Sequence, residues 1–212
     1  MKNRKTYYRR KLPHILPPEA TFFVTYRLVG SIPKSEIARL KEEHETQKIQ
    51  LQQIDISHSE KQEQFYQLGK RYFASFEAFL DTSPNEPYWL REVAVRDIVA
   101  QSLRDLEQKY LQLWAFCIMP NHVHVLFTPF PDAPQLFKIM QVHKRYTAWK
   151  ANEALGREGT FWETESYDHY VRDDAEFHRI VHYIAHNPVK AGFVAEWQQW
   201  PGAYVHSDLL FW

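Results

Sequence analysis

The chain has 212 residues, a length that fits one domain with a substantial core. Its 26 basic and 26 acidic side chains cancel, so bulk charge indicates no partner. The single cysteine, Cys117, excludes an intrachain disulfide and a multi-cysteine zinc site within this sequence. We expect a soluble, cytoplasmic protein without membrane contact, because no apolar run is long enough to span a bilayer and the N-terminus lacks a signal-peptide core.

Residues 1–14 (MKNRKTYYRRKLPH) form a basic arm, since six Lys or Arg side chains occur before the first acid at Glu19. Two tyrosines lie between the basic residues. This pattern is typical both of a nucleic-acid contact and of a frayed terminus. We interpret Arg9 and Arg10 as candidate phosphate contacts.

The next two segments differ sharply in amino-acid composition. Residues 21–30 (TFFVTYRLVG) are aromatic and β-branched and predict a strand that ends at glycine. Residues 31–82 are dense in Lys, Glu and Gln and predict two polar helices. We therefore expect a single domain over 1–212 with a helical hairpin inserted at about 32–84.

A predicted hairpin of strands holds a pair of histidines. An amphipathic helix over 84–110 precedes one strand at 111–119, and a Pro-Asn turn returns the chain as a second strand at 122–130. Alternate strand residues share a face, so His122 and His124 point to the same side.

The remaining segments predict a helix over 134–154, a short strand over 164–173 and a last helix that Asn187 and Pro188 terminate. In the first of these helices Lys144 and Arg145 turn away from the apolar side. The predicted fold class is α+β, a central antiparallel sheet with packed helices, with the last helix lying across the histidine hairpin.

The last helix places a phenol beside an amide. Its apolar stripe leaves Tyr183 and Asn187, one turn apart, along one margin. Singly, these are an ordinary boundary tyrosine and an ordinary helix cap. With His122 and His124 they make a set that can hold a divalent ion with positions open for a phosphate, and the phenol is then the candidate nucleophile.

Other interpretations of the histidine pair are open. It can be a polar pair on a solvated strand face. A cupin-type metal enzyme also carries His-x-His, but it expects an acid nearby and a glycine-punctuated barrel, and this chain has six glycines. A phosphodiesterase of another class requires two His-x-Thr or His-x-Ser motifs. This sequence contains one, His44 with Thr46, and it lies in a predicted polar helix.

The order of these motifs resembles a known family. MPNHVHVLF looks like the HUH motif, two histidines around a hydrophobic residue. Residues 161–194 resemble the C-terminal signature of REP-associated tyrosine transposases, and the similarity extends back through YWL and RYFASFEAFLD to FFVTYRLVGSIPK. The resemblance implies the ferredoxin-like fold of HUH endonucleases and a metal-dependent single-stranded DNA endonuclease and strand transferase.

The resemblance also implies roles for particular residues. His122, His124 and Asn187 correspond to ligands of Mg²⁺ or Mn²⁺, although many relatives carry Gln where this chain has Asn187. Tyr183 corresponds to the tyrosine that forms a 5′-phosphotyrosine link and releases a 3′-OH. The implied substrates are palindromic repeats that fold into single-stranded hairpins, bound by a monomer or homodimer.

Further basic residues are candidate contacts to the DNA. We interpret Lys144, Arg145 and Arg172 in this way, and Lys190 similarly. Asp168 and His169 are candidates for DNA or supporting contacts, with surface polarity as the alternative. Tyr167 and Tyr170 are rival nucleophiles that lack an amide one helical turn on. The main alternative function is a domesticated, non-catalytic protein that binds hairpin DNA.

Overall fold

The computed structural model describes residues 20–82 and 87–210, together with the backbone of two short strands nearer the N-terminus, β1 (Tyr7–Arg9) and β2 (Pro13–Ile15). The chain divides into two compact units, residues 1–29 with 88–212, and residues 30–87. In the described part of the chain, every helix is too short or too polar to cross a bilayer.

The unit of residues 30–87 holds two helices, α1 (Lys34–Gln53) and α2 (His58–Thr82). They are the two polar helices that the Lys, Glu and Gln content of this stretch predicts. α2 begins with a capping box, in which Ser57 N–H donates to Glu60 Oε2 at 3.0 Å and Glu60 N–H donates to Ser57 Oγ at 3.3 Å. Ion pairs one turn apart line the exposed side of α1.

The larger unit is built on a five-stranded antiparallel sheet. Its elements in chain order are β3 (Phe22–Arg27), α3 (Val93–Glu107), β4 (Leu111–Ile118), β5 (His122–Pro129), α4 (Leu136–Ala154), β6 (Tyr167–Tyr170), α5 (Asp174–Lys190) and β7 (Ala203–Val205). The strand order is β6-β3-β5-β4-β7. The predicted strand hairpin therefore lies at the centre of the sheet, and the predicted α+β class is confirmed.

The two faces of the sheet carry different helices. On one face, alternate apolar residues of β3 and β5 join α3 and α4 in a continuous core, which includes Val24, Tyr26, Val123 and Val125. On the other face, α5 packs across β4, β5 and β7. Because side chains alternate along a strand, the histidines at 122 and 124 point to the α5 face.

A β-bulge in β4 contains a tryptophan that packs against α5. Leu113 pairs with Phe127, but Ala115 pairs with Leu126, so Trp114 is one extra residue in the strand. The indole N–H of Trp114 donates to Thr128 Oγ1 at 2.8 Å, and its ring meets the Phe177 ring of α5 edge-on at 5.5 Å.

The core on the α3 and α4 side contains one polar network. His143 of α4 is fully buried, with Nε2 2.6 Å from the Tyr26 hydroxyl and Nδ1 2.8 Å from Ser102 Oγ of α3. Burial lowers the pKa of His143 to about 3, and the nearby charge of Lys144 lowers this pKa further in the same direction. This histidine therefore stays neutral and joins β3, α3 and α4.

Candidate active site

His122 and His124 lie at the middle of the sheet on the face that α5 covers. His124 pairs with Thr25 across β3 and with Cys117 across β4, and His122 pairs with Arg27. Both imidazoles are buried, with 1% and 0% exposure, and their ring centroids are 4.6 Å apart. The strand period thus brings two imidazoles to one point, as the spacing predicts.

Hydrogen bonds to the outer ring nitrogens orient both imidazoles. His122 Nδ1 lies 2.6 Å from Asn121 Oδ1, and an amide oxygen only accepts, so this Nδ1 carries the proton. His124 Nδ1 lies 2.8 Å from Thr25 Oγ1, a hydroxyl that can accept from this nitrogen or donate to it. The two Nε2 atoms face each other across 3.0 Å. His122 Nε2 is then an acceptor, and His124 Nε2–H can donate to it when the Thr25 hydroxyl donates to His124 Nδ1.

The start of α5 is attached to the edge strand β6. Asp173 caps the helix by accepting a hydrogen bond from Glu176 N–H at 2.7 Å. The buried Glu176 carboxylate accepts from the backbone N–H of Arg172 at 2.9 Å and lies 3.3 Å from His169 Nε2 of β6. These contacts fix where the helix begins relative to the sheet.

The predicted end of this helix at Asn187 and Pro188 is wrong, because α5 continues through both residues to Lys190. Proline has a helical φ and removes only one backbone donor, so the last turn survives. Ala191 N–H donates to Asn187 O at 3.0 Å, and the chain then leaves the helix at Gly192 with φ +74°. Asn187 therefore lies within the helix, where its side chain is not used as a cap.

Tyr183 and Asn187 both face the histidine pair. The Tyr183 ring, which is half-buried, meets the His124 ring at 5.3 Å and the Phe23 ring at 6.0 Å between centroids. The Asn187 side chain is buried, and its Nδ2 lies 3.3 Å from His124 Nε2. The structure thus brings together the four residues that the sequence selected.

The donor set of this cluster suits a divalent cation. The two imidazole Nε2 atoms lie 3.0 Å apart, so when both Nδ1 atoms carry the ring protons both Nε2 lone pairs can bind one cation. Asn187 Oδ1 is buried and accepts no hydrogen bond within residues 20–82 and 87–210. A cation held by two such nitrogens and one amide oxygen would satisfy all three atoms and leave further coordination positions open.

The other predicted DNA contacts lie elsewhere. Lys144 and Arg145 are on α4, which packs on the opposite face of the sheet, and Lys144 Nζ donates to the carbonyls of Glu163 and Thr164. Arg172 is exposed just before α5. Lys190 is exposed at the end of α5. The structure describes only the backbone of Arg9, and Arg10 lies outside the described residues.

The rival nucleophiles Tyr167 and Tyr170 are part of β6, at the edge of the sheet. The candidate DNA contacts Asp168 and His169 lie in the same strand. Tyr167 meets the Phe23 ring at 6.4 Å, and Tyr170 stacks on His169 at 5.9 Å. His169 also approaches Glu176, so it contacts the start of the tyrosine helix.

Sequence reasoning missed the two residues that orient the imidazoles. The sequence indicates Asn121 only as part of the turn before β5, and Thr25 only as part of a strand. One signal was present, because Thr25 is the one serine or threonine within β3. Its cross-strand position opposite His124 depends on a register that the sequence does not state.

Comparison with known proteins supports the family resemblance. Residues 89–187 match the family model described as transposase IS200-like. A protein of Haemophilus influenzae assigned as a REP-associated tyrosine transposase is 30% identical over 104 residues, which are 45% of this chain and 59% of that protein. The REP-associated tyrosine transposase of Escherichia coli is 28% identical over 96 residues, or 45% of this chain and 54% of that protein.

A solved structure of a REP-associated tyrosine transposase bound to a REP hairpin aligns with a TM-score of 0.46 and 18% identity, over 92% of this chain and 80% of that one. The chain spans less than two thirds of the length of the two curated relatives. The family model and the two curated relatives confirm the resemblance to REP-associated tyrosine transposases.

Proposed function

We propose, starting from the IS200-like transposase segment at residues 89–187, that this protein nicks and rejoins single-stranded, hairpin-forming repeat DNA through Tyr183. The nuclease in this proposal is one domain, with the helical unit of residues 30–87 as an insertion. The observation that carries the proposal is the convergence of His122, His124 and Asn187 beside the Tyr183 ring.

Tyr183 is the nucleophile in this proposal. Its phenolic oxygen attacks the phosphorus of the scissile phosphodiester, a new O–P bond forms, and the bond from phosphorus to the 3′ oxygen breaks. The product is a 5′-phosphotyrosine link and a free 3′-OH, with the phenol proton lost and one proton gained by the departing 3′ oxygen. Because the phosphodiester bond energy is kept in the link, a second 3′-OH can reverse the attack without a nucleotide cofactor.

His122, His124 and Asn187 would hold the divalent cation, Mg²⁺ or Mn²⁺. When bound, the cation supplies Lewis-acid polarisation of the scissile phosphate and screens its negative charge. Asn121 accepts from Nδ1 of His122, and Thr25 would accept from Nδ1 of His124 in the metal-bound state, which would leave both Nε2 atoms available. Tyrosine has an ordinary pKa of about 10, so a cation bound beside Tyr183 would favour the reactive phenolate.

Hairpin DNA is proposed as the substrate because the similar proteins are REP-associated tyrosine transposases. The same reasoning proposes a cytoplasmic protein that acts as a monomer or homodimer on chromosomal repeats. Arg172 and Lys190 are exposed at the two ends of α5, the helix that carries the proposed nucleophile. We propose that both contact phosphates of the DNA.

The alternative is a domesticated hairpin-binding protein that has lost catalysis. The two proposals predict different products, because only the catalytic one predicts a covalent link between the protein and DNA. Labelled hairpin oligonucleotides incubated with wild-type protein and Mg²⁺ or Mn²⁺ should yield a protein–DNA adduct that survives denaturing electrophoresis, and chelation of the metal should abolish it. Hairpin binding with no adduct under any divalent cation would support the alternative.

A matched pair of tyrosine variants tests the nucleophile. Tyr183→Phe should bind the hairpin and form no adduct, because only the attacking oxygen is removed. Tyr167→Phe removes a hydroxyl from a ring that also contacts Phe23, and it should keep the adduct. An adduct in the Tyr183→Phe variant would exclude this tyrosine.

A further inference from the structure

The outward side of α4 carries an unusual surface. Val142 and Trp149 are each 60% exposed and Tyr146 is 43% exposed, on successive turns of one helix. The same helix buries Leu136, Ile139, Met140 and His143 on its other side, so its packing requirement is already met. Large exposed side chains that repeat with the helical period indicate a binding surface rather than scattered surface residues.

Basic side chains alternate with these apolar ones. Positions four apart on a helix are neighbours, which gives a row of Lys138, Val142, Tyr146 and Lys150 beside a row of Gln141, Arg145 and Trp149. We call the six residues Lys138, Val142, Arg145, Tyr146, Trp149 and Lys150 the α4 outer face. The one acid that continues these rows is Glu153, and it is already paired with Lys150 at 2.8 Å.

The rings are arranged to accept a flat partner. Tyr146 and Trp149 meet edge-on at 6.5 Å between centroids, so the two ring faces are not used against each other. Lys150 Nζ lies over the Trp149 ring, 4.2 Å from its centroid, so a cation covers one face of the indole and a base would stack on the opposite face. Exposed aromatic rings flanked by cations are the chemistry by which proteins bind single strands, with bases on the rings and phosphates on the cations.

We propose that the α4 outer face is a second binding surface for single-stranded DNA, on the side of the sheet away from the histidine pair. The choice of DNA as the occupant rests on the proposed function and on the excess of positive charge along the rows. A second copy of the chain fits less well, because its own α4 outer face would bring like charges together.

This placement has a geometric consequence. α4 and α5 cover opposite faces of one sheet, so a strand that contacts both must pass round an edge of the sheet. Single-stranded DNA that flanks the hairpin can therefore be held away from the point of cleavage. Oligonucleotides long enough to engage both surfaces should bind more tightly than the hairpin alone.

The test uses the full chain carrying Tyr183→Phe, with metal chelated, so that binding is measured without cleavage. Fluorescence anisotropy with an unstructured labelled oligonucleotide compares Trp149→Leu with Trp149→Phe. Leucine keeps an apolar side chain and loses the stacking surface, so we expect roughly ten-fold weaker binding, whereas phenylalanine should bind nearly as the parent does. Arg145→Gln should make the salt dependence of binding shallower.

Two results would overturn the inference. One is equal oligonucleotide binding by the Trp149→Leu variant and its parent. The other is a wild-type dimer in sedimentation that Trp149→Leu converts to monomer, which would assign the face to self-association. Failure of the proposed function is separable, because nicking of a short hairpin without single-stranded flanks depends on Tyr183 and should be unchanged by Trp149→Leu.

Discussion

The buried network at His143 predicts a specific loss of stability in acid. The imidazole is neutral in the folded protein, with a pKa of about 3, while an unfolded chain titrates near 6.5. The unfolded state therefore binds more protons between these values, and stability falls as the pH falls. The contribution of the neutral His143 ring to the free energy of unfolding is complete above pH 6.5 and is lost progressively towards pH 3.

The size of the effect follows from the shift. Lowering the His143 pKa from 6.5 to about 3 corresponds to about 5 kcal/mol of unfolding free energy between these pH values. About 2 kcal/mol of this is lost by pH 5. Tyr26 and Ser102 hold the two ring nitrogens, and the ammonium of Lys144 lies nearby. No carboxylate contributes to this shift, so nothing in the network offsets the cost of a buried imidazolium.

The assay is the free energy of unfolding in urea at pH 7.5 and pH 5, for wild type and for His143→Gln. Glutamine can accept from the Tyr26 hydroxyl and donate to Ser102 without titrating. Wild type should lose about 2 kcal/mol more than the variant between the two pH values. The other ten histidines are common to both proteins, so their contributions cancel in the comparison.

Parallel stability curves for the two proteins would refute the reasoning. If His143→Gln does not fold, the imidazole nitrogen resonances of wild type provide a second measurement. The His143 ring should stay neutral in the folded protein down to about pH 4. A ring that titrates near pH 6.5 while the protein remains folded would show that burial does not control this group.

Three further substitutions have definite expected outcomes. Gly202→Ala should lower the thermal midpoint by several degrees, because the new Cβ would lie 2.7 Å from Ile118 O. Thr25→Val should weaken Mn²⁺ binding, measured by calorimetry, roughly ten-fold or more, since His124 Nδ1 loses the hydroxyl that orients the ring. Pro188→Ala should raise the free energy of unfolding by about 1 kcal/mol by restoring a helix donor, and an unchanged or lower value would mean that the ring is needed for packing.

Local patterns of the sequence were sufficient to predict the elements of the site. Strand alternation predicts that His122 and His124 share a face, and helical spacing predicts that Tyr183 and Asn187 share an edge. Both follow from backbone periodicities that hold regardless of the rest of the fold. The short strand β7 was not predicted, because three residues are too few to show a period.

Features that depend on long-range partners were not predictable. The bulge at Trp114 changes which β4 residues face α5, and only pairing with β5 reveals it. Lys144 was expected to turn to solvent, but carbonyls of the segment after α4 hold it. The rule that proline ends a helix failed at Pro188, since helix ends tolerate one missing donor when packing maintains the turn.

One turn of α5 separates the phenol of Tyr183 from the amide of Asn187, about 6 Å along the helix axis. A rigid helix moves as one piece, so any rotation or exchange that withdraws the hydroxyl from the imidazoles withdraws the amide oxygen too. In the proposed reaction, delivery of the phenol and completion of a cation's coordination by Asn187 would therefore be mechanically coupled. A cation held by all three proposed ligands would require the tyrosine to be in place as well.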